Sequence, residues 1–322
     1  MRRLLFIMFA AASLFTGTLA QQATPTPAST PPPIPVPQET PINLRSRTGI
    51  SSINNQMTDG RPNLTPNQEL AVKQLLLQKY TRPLYRKPSE SELASIAPDP
   101  GLIRHYKLFL ERRNTGIVRL VADAGCNLNA KVIVATEQCL KYTMPGNGNS
   151  FSFRIANYRI RHLADLMLTG ENFMIPGIMM HGMMTRLGDV PIEQVNLQTA
   201  GVQFLTEFKP TNEYERAIAI EDLILSGLGR DGFVYARSIP VVDNTTYALR
   251  VVAYDGKVMR AVPGAEYNEM DYDRRRDMVV AFRVVQRDRD AGVTIVWAEL
   301  NNSDSPKLKL PAIQSNLVKA EN

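Results

Sequence analysis

Residues 277–300 read DMVVAFRVVQRDRDAGVTIVWAEL, and this stretch decides the fold class. Its two ends, residues 277–286 and 293–300, are rich in β-branched and aromatic side chains, which favour strands. Residues 288–292 between them have the composition of a turn. Two strand-like runs joined by a short turn predict neighbouring antiparallel strands.

The same alternation between strand-like runs and turns extends over the chain from residue 116 onward. Further strands are predicted at residues 116–121, 131–134, 150–155, 202–208, 233–237, 245–254 and 257–262, with strand and loop at 173–184. Asp255-Gly256 predicts a hairpin between the runs at 245–254 and 257–262. Helices are predicted from Thr65 to Pro83, from Ser89 to before Pro98, and over residues 102–113, 160–168 and 212–228. The fold class is therefore α+β, with N-terminal short helices followed by a largely antiparallel sheet with interspersed helices.

Residues 1–20 have the order of a secretory signal peptide. Arg2 and Arg3 precede an apolar run over residues 4–15, and small residues surround Ala20, where cleavage is expected. An uncleaved anchor is the alternative, but a spanning helix needs about 20 apolar residues and this run is shorter. We therefore expect an exported protein (periplasmic, cell-surface or secreted) with no transmembrane segment in the mature chain.

Three segments are expected to follow the signal peptide. Residues 21–62 form a Pro-rich disordered linker, with eight prolines between Pro25 and Pro41. Residues 63–115 form a basic helical segment, and residues 116–322 form an α+β domain.

Positive charge is concentrated in the basic segment. The formal net charge of the chain is +6, and residues 69–119 contain ten Lys or Arg against five Asp or Glu. Lys73, Arg104, Lys107 and Arg112 are the candidate binding residues, and an anionic envelope component or another envelope protein is the expected partner. A solvated helical face without a partner is the alternative, and no nucleic acid is expected. The apolar residues of 102–113 are predicted to pack inward, namely Leu102, Ile103, Tyr106, Leu108, Phe109 and Leu110.

Cys126 and Cys139 are the two cysteines of the chain. In an oxidising compartment a pair of this kind predicts a disulfide. If residues 117–122 and 131–135 form a simple hairpin, the two Cα atoms lie too far apart, so we favour the disulfide over that hairpin.

A methionine-rich segment surrounds His181. Met179, His181 and Met183 share one face of a strand, and thioether and imidazole ligands suit copper(I). Methionine is also an ordinary core residue. The same side chains are therefore candidates for a metal site or for the core.

Carboxylates offer a third kind of chemistry, because a pair of them hydrolyses glycosides. The candidates are Asp165, Glu171, Asp189, Glu193, Glu221 and Asp222. Residues 266–273 form an acidic run that precedes Arg274-Arg275-Arg276, and we interpret the two as a solvated, self-neutralising charge run.

Motifs for zinc hydrolysis, covalent haem and nucleotide binding do not occur in the sequence. We therefore expect a non-enzymatic binding or scaffold module of the envelope, without a cofactor. The alternative is an extracytoplasmic hydrolase that uses paired carboxylates, and the third hypothesis is copper(I) handling.

Overall fold

A computed structural model describes residues 65–121, 144–289 and 292–309. The predicted signal peptide, the Pro-rich linker and the Cys126–Cys139 pair lie outside these residues.

Within the described residues, four helices occupy the N-terminal part and two more lie between strands further along the chain. They are α1 (Pro66–Tyr85), α2 (Glu90–Ser95), α3 (Pro100–His105), α4 (Lys107–Leu110), α5 (Val202–Glu207) and α6 (Tyr214–Ser226). Thr65 caps α1 as predicted, because its side chain accepts a hydrogen bond from the Gln68 backbone N–H. Pro83 does not end α1; it lies in the last turn, where the missing N–H removes only one backbone bond.

Fourteen strands lie within the described residues. They are β1 (Thr115–Leu120), β2 (Ser150–Ser152), β3 (Asn157–Tyr158), β4 (Leu166–Thr169), β5 (Asn172–Met174), β6 (Met180–Gly188), β7 (Leu228–Arg230), β8 (Phe233–Tyr235), β9 (Ser238–Pro240), β10 (Thr246–Ala253), β11 (Met259–Val262), β12 (Ala265–Asn268), β13 (Arg276–Arg287) and β14 (Val293–Asp304).

These strands form two five-stranded antiparallel sheets and two small hairpins. Sheet 1 has the order β1-β14-β13-β10-β6, and sheet 2 has the order β3-β2-β4-β5-β9. The hairpins are β7–β8 and β11–β12. The predicted α+β class with a largely antiparallel sheet is confirmed.

The main core lies between the two sheets. Phe173 of sheet 2 contacts Tyr247 and Phe282 of sheet 1, with ring centroids 5.5 and 5.1 Å apart. The opposite face of sheet 1 packs on α5 and α6 through a second cluster that includes Met183, Leu205 and Ile224. Sheet 1 is therefore covered on both faces, which explains why all eight residues of β10 are buried.

The hairpin prediction at residues 277–300 is confirmed, because β13 pairs with β14 and the Asp288 N–H donates to the Gly292 carbonyl at 2.8 Å. The hairpin predicted at Asp255-Gly256 is wrong. β10 pairs with β13 and β6 instead, and the Asp255 N–H donates to the Pro306 carbonyl at 3.0 Å. Burial of β10 between long strands outweighs the local turn signal.

Three helix and strand predictions need correction. Residues 202–208 form α5 rather than a strand, because Val202 and Leu205 bury one helical stripe against sheet 1. The helix predicted at 160–168 is a short 3₁₀ turn followed by β4, whose residues Leu166, Met167 and Leu168 are buried in the middle of sheet 2. The single helix predicted at 102–113 is divided at Tyr106 into α3 and α4.

Candidate functional site

Three of the four predicted binding residues lie close together in the chain, on α3, on α4 and just after α4. Arg104, Lys107 and Arg112 are all exposed. Their side chains make no hydrogen bond or ion pair with another residue that the structure describes. Lys73 is also exposed but lies on α1, which contacts β12, whereas α4 contacts β1.

Two apolar side chains accompany these cations at the surface. Leu108 is 80% exposed and Ile103 is 41% exposed, although both were predicted to pack inward. Phe109 holds α4 to the domain instead, because it is 4% exposed and packs in one cluster with Ile192 and Val296. We name Ile103, Arg104, Lys107, Leu108 and Arg112 the basic patch. Apolar residues were too dense in this stretch for spacing alone to show which of them face outward.

The methionine-rich segment alternates between the two faces of sheet 1, as a strand requires. Met180 and Met184 belong to the core between the sheets, and Met183 belongs to the cluster beneath α5 and α6. Met179 precedes β6 and lies against Gly256. A Cβ added to Gly256 would come within 2.3 Å of the Met179 Cε atom. His181 and Met183 are 4% and 1% exposed.

Both ring nitrogens of His181 are engaged. Nε2 donates to the Ala217 carbonyl at 2.8 Å, and Nδ1 accepts from the Tyr254 hydroxyl at 2.9 Å. Burial lowers the pKa of His181, so the imidazole is neutral at neutral pH. These contacts leave no free lone pair for a metal, so they lend no support to the copper hypothesis. No group of three or more His, Cys, Asp or Glu side chains within the described residues is arranged to hold a metal ion.

A cleft of about 340 Å³ lies beside this histidine, between α6 and the segment before β6. It is lined mostly by apolar atoms of Pro176, Ile178, Met179, Ile218 and Leu308. Its volume is within the range of small-molecule sites, about 300–1,000 Å³. The cleft is therefore a second candidate binding site, separate in sequence from the basic patch.

Most of the candidate catalytic carboxylates are paired with arginines. The contacts are Asp165 with Arg154, Glu171 with Arg287, Asp189 with Arg283 and Glu221 with Arg237. Asp165 is 1% exposed, and its Oδ2 also accepts from the Ser152 hydroxyl at 2.9 Å. These contacts with arginines, rather than with one another, are what the structure shows for the four carboxylates.

The acidic run 266–273 contains a buried cluster that the sequence did not reveal. Glu269 is 1% exposed and accepts hydrogen bonds from Tyr85 at 2.7 Å, from Arg260 at 2.8 Å and from His162. Burial alone raises the pKa of Glu269, but the hydrogen bonds from His162, Tyr85 and Arg260 outweigh it and lower the pKa to about 2. The interpretation as a solvated run is wrong at Glu269, whose donors come from α1, from residue 162 and from β11.

The aromatic side chains next to Glu269 complete its contact with α1. The single hydroxyl proton of Tyr85 goes to the carboxylate, so Tyr267 donates to the Tyr85 oxygen at 3.0 Å. The Tyr85 ring stacks on Tyr272 with centroids 4.4 Å apart. This cluster therefore attaches the C-terminal end of α1 to the domain. Its buried contacts give it a structural role.

Among the helices within residues 65–121, 144–289 and 292–309, none has the length and apolar composition needed to cross a bilayer. Comparisons of the chain with protein-family models, with curated proteins and with solved structures find no match.

Proposed function

We propose that this protein is an exported, non-enzymatic binding module of the cell envelope, and that its basic patch attaches to an anionic membrane surface. The observation that carries the proposal is the position of Leu108. This side chain is 80% exposed and is accompanied by Arg104, Lys107 and Arg112, which form no ion pair with another described residue.

The chemistry of the basic patch suits the boundary between lipid headgroups and acyl chains. An exposed leucine gains about 1.5–3 kcal/mol when it is fully buried in an apolar environment. Each Lys or Arg near an anionic leaflet adds about 1 kcal/mol. Together these contributions support reversible attachment, in which Leu108 enters the membrane and the cations remain among the headgroups.

The arrangement of the carboxylates favours this function over the hydrolase. Asp165 and Glu221, two of the predicted catalytic acids, each contact an arginine. Hydrogen bonds lower the pKa of Glu269, and Arg154 and Arg275 outweigh the effect of burial to lower the pKa of Asp273. Neither Glu269 nor Asp273 therefore has the raised pKa that a general acid requires.

The proposal is tested by sedimentation of the expected mature chain, residues 21–322, with lipid vesicles. We expect binding to vesicles that contain phosphatidylglycerol, weak binding to pure phosphatidylcholine, and loss of binding at high salt. The double variant Arg104→Glu/Lys107→Glu removes the interaction. The matched control Lys209→Glu/Arg216→Glu makes the same change in net charge at two exposed residues outside the patch.

Two results would contradict the proposal. Equal loss of binding in the patch variant and in the control would show that only net charge matters. Equal binding to the two kinds of vesicle would remove the anionic surface as the partner. Leu108→Ser separates the apolar contribution, and we expect it to weaken binding on the order of tenfold without changing the salt dependence.

A further inference from the structure

The cleft beside α6 has a neighbour of similar size. The second hollow also measures about 340 Å³ and is lined by Arg161, Met174, Leu225 and Ser238 among others. Pro176 and Arg237 line both hollows. We name the two hollows together the α6 groove.

One side of the α6 groove is a single stripe of the helix. Tyr214, Ile218, Glu221 and Leu225 are spaced by three or four residues and therefore lie on the same side of α6. Ile218 is 42% exposed and Leu225 is 60% exposed, so this apolar stripe is not covered by another described element.

The polar side chains in the middle of the groove contact the backbone or one another. Arg237 donates to the Ile175 carbonyl at 2.7 Å and to the Gly177 carbonyl at 3.0 Å, and it also contacts Glu221. His181 and Tyr254 bond to each other. The middle of the groove therefore presents mostly apolar surface, and the charges of Arg237 and Glu221 face each other there as an ion pair.

The charge at one end of the groove is different. Arg161 is exposed and lines the second hollow, and its guanidinium makes no hydrogen bond or ion pair with another residue of the described part. An apolar groove with one available cation at its end is complementary to a molecule that has a long apolar chain and one negative head.

We propose that the α6 groove binds a long-chain fatty carboxylate, with the carboxylate at Arg161 and the acyl chain along α6 towards Leu308. Each methylene group that leaves water for the apolar lining strengthens binding roughly fourfold. The guanidinium of Arg161 selects the anionic head. Because this site shares no residue with the basic patch, the inference goes beyond the proposed attachment to membranes.

Calorimetric titration of the full chain with dodecanoate, below its micelle-forming concentration, tests this site. Hexanoate has six fewer methylene groups, and we expect it to bind more weakly by a factor on the order of a thousand. Dodecyltrimethylammonium has the same chain with a positive head, and we expect weaker binding than for dodecanoate. Equal affinity for dodecanoate and hexanoate would overturn the proposal.

Variants on one helix locate the ligand. Ile218→Glu places a charge inside the groove, and we expect at least a tenfold loss of dodecanoate affinity. Leu223→Glu is the matched control on α6, because Leu223 is 56% exposed and lines neither hollow. Equal losses in the two variants would contradict binding in the groove. Both side chains are exposed, so folding is expected to be preserved, and circular dichroism checks it.

The end of the groove is tested by Arg161→Glu. We expect it to weaken dodecanoate on the order of fivefold and to leave dodecyltrimethylammonium unweakened. If Arg161→Glu binds both amphiphiles as tightly as the unchanged protein does, Arg161 does not hold the carboxylate head and that assignment is overturned.

A chain that ends at Lys309 tests whether residues 310–322, rather than a fatty carboxylate, occupy the groove. Leu308 lines the groove, and Lys309 lies beside it with its N–H on the Asn212 carbonyl at 2.8 Å. If dodecanoate binds only to the shortened chain, residues 310–322 cover the groove and the fatty carboxylate is not its ligand. Vesicle attachment by the basic patch is measured separately, so its failure and the failure of this inference are distinguishable.

Discussion

The arginines of the core and the cations of the basic patch have opposite surroundings. Arg154 is fully buried, and its guanidinium contacts Asp165 at 2.7 Å and Asp273 at 2.5 Å. Arg104 is exposed and has no ionic partner among the described residues. The difference shows that basic residues of this chain have two kinds of surroundings: the guanidinium of Arg154 joins parts of the fold in the core, whereas Arg104 faces solvent.

The buried arginines join layers that are distant in sequence. Arg154 follows β2 and reaches Asp273, 119 residues later, while Arg275 donates to the same carboxylate at 2.8 Å. Arg250 of sheet 1 forms a bidentate pair with Asp277 and also donates to the Leu205 and Phe208 carbonyls at 2.5 and 2.7 Å. A cation at the C-terminal end of α5 is favourable because the helix dipole is negative there.

The largest effect is expected when a buried partner is removed. Arg154→Ala leaves Asp165 as a buried charge without its cation, and we expect the free energy of unfolding to fall by about 3–5 kcal/mol. Urea unfolding followed by circular dichroism measures the loss. Arg154→Lys keeps the charge but not the planar fork, so an intermediate loss is expected. A loss below about 1 kcal/mol for Arg154→Ala would contradict a structural role for buried pairing.

The next largest effect on the free energy of unfolding is expected at Glu269, and it depends on pH. The pKa of Glu269 is about 2 in the folded protein against an ordinary value of 4.5. A carboxyl whose folded pKa is lowered stabilises the protein above its unfolded pKa. The contribution is on the order of 3 kcal/mol, and it is lost as the pH falls from about 4.5 towards about 2. Glu269→Gln is therefore less stable than the unchanged protein at neutral pH, and the two approach each other below pH 4.5.

The difference between the two proteins isolates Glu269, because Glu92 and Asp273 also have a lowered pKa and remain in both. Unfolding in urea at a series of pH values gives this difference. A gap that stays constant from neutral to acid pH would show that the ionised form of Glu269 is not what its donors stabilise.

A partly exposed pair is expected to give a smaller effect. Arg86 and Glu92 form a bidentate contact with distances of 2.6 and 2.7 Å, and their side chains are 35% and 15% exposed. Solvent screens such a pair, so Arg86→Ala should cost about 1 kcal/mol or less in the same unfolding measurement. Lys87→Ala, at the exposed neighbouring residue, is the matched control and should cost less. A loss as large as that expected for Arg154→Ala would show that burial does not determine how much an ion pair contributes to the free energy of unfolding.

The sequence predicts elements whose signal is local. The strand runs of β13 and β14 alternate or contain β-branched residues, and α6 combines an apolar stripe with terminal glycines, so both were found. The same local signal is misleading at α5 and β4, because Val202–Glu207 and Leu166–Thr169 are short segments whose apolar residues fit either period. Residues 202–207 form a helix because they pack on sheet 1. Residues 166–169 form a strand because they lie in the middle of sheet 2.

The ionic contacts were beyond the reach of a local pattern. His162 and Glu269 are 107 residues apart, and Arg154 and Asp273 are 119 apart. Only the topology brings them together. The exposure of Arg104, Lys107 and Arg112 agrees with what their charge predicts. Leu108 is exposed although it is predicted to pack inward, because hydrophobicity alone does not show which way a side chain points.

The smallest effect on stability is expected in the basic patch itself. Arg104→Ala removes an exposed side chain that has no ion pair with another described residue, so the free energy of unfolding should change by no more than about 0.5 kcal/mol. The same substitution should weaken attachment to phosphatidylglycerol vesicles by a factor on the order of five, since one cation near an anionic surface contributes about 1 kcal/mol. Urea unfolding and vesicle sedimentation of one preparation measure both quantities. A variant that loses stability but keeps its vesicle affinity would place Arg104 with the arginines that hold the fold together, and the distinction between buried and available cations would then fail at the residue chosen to represent it.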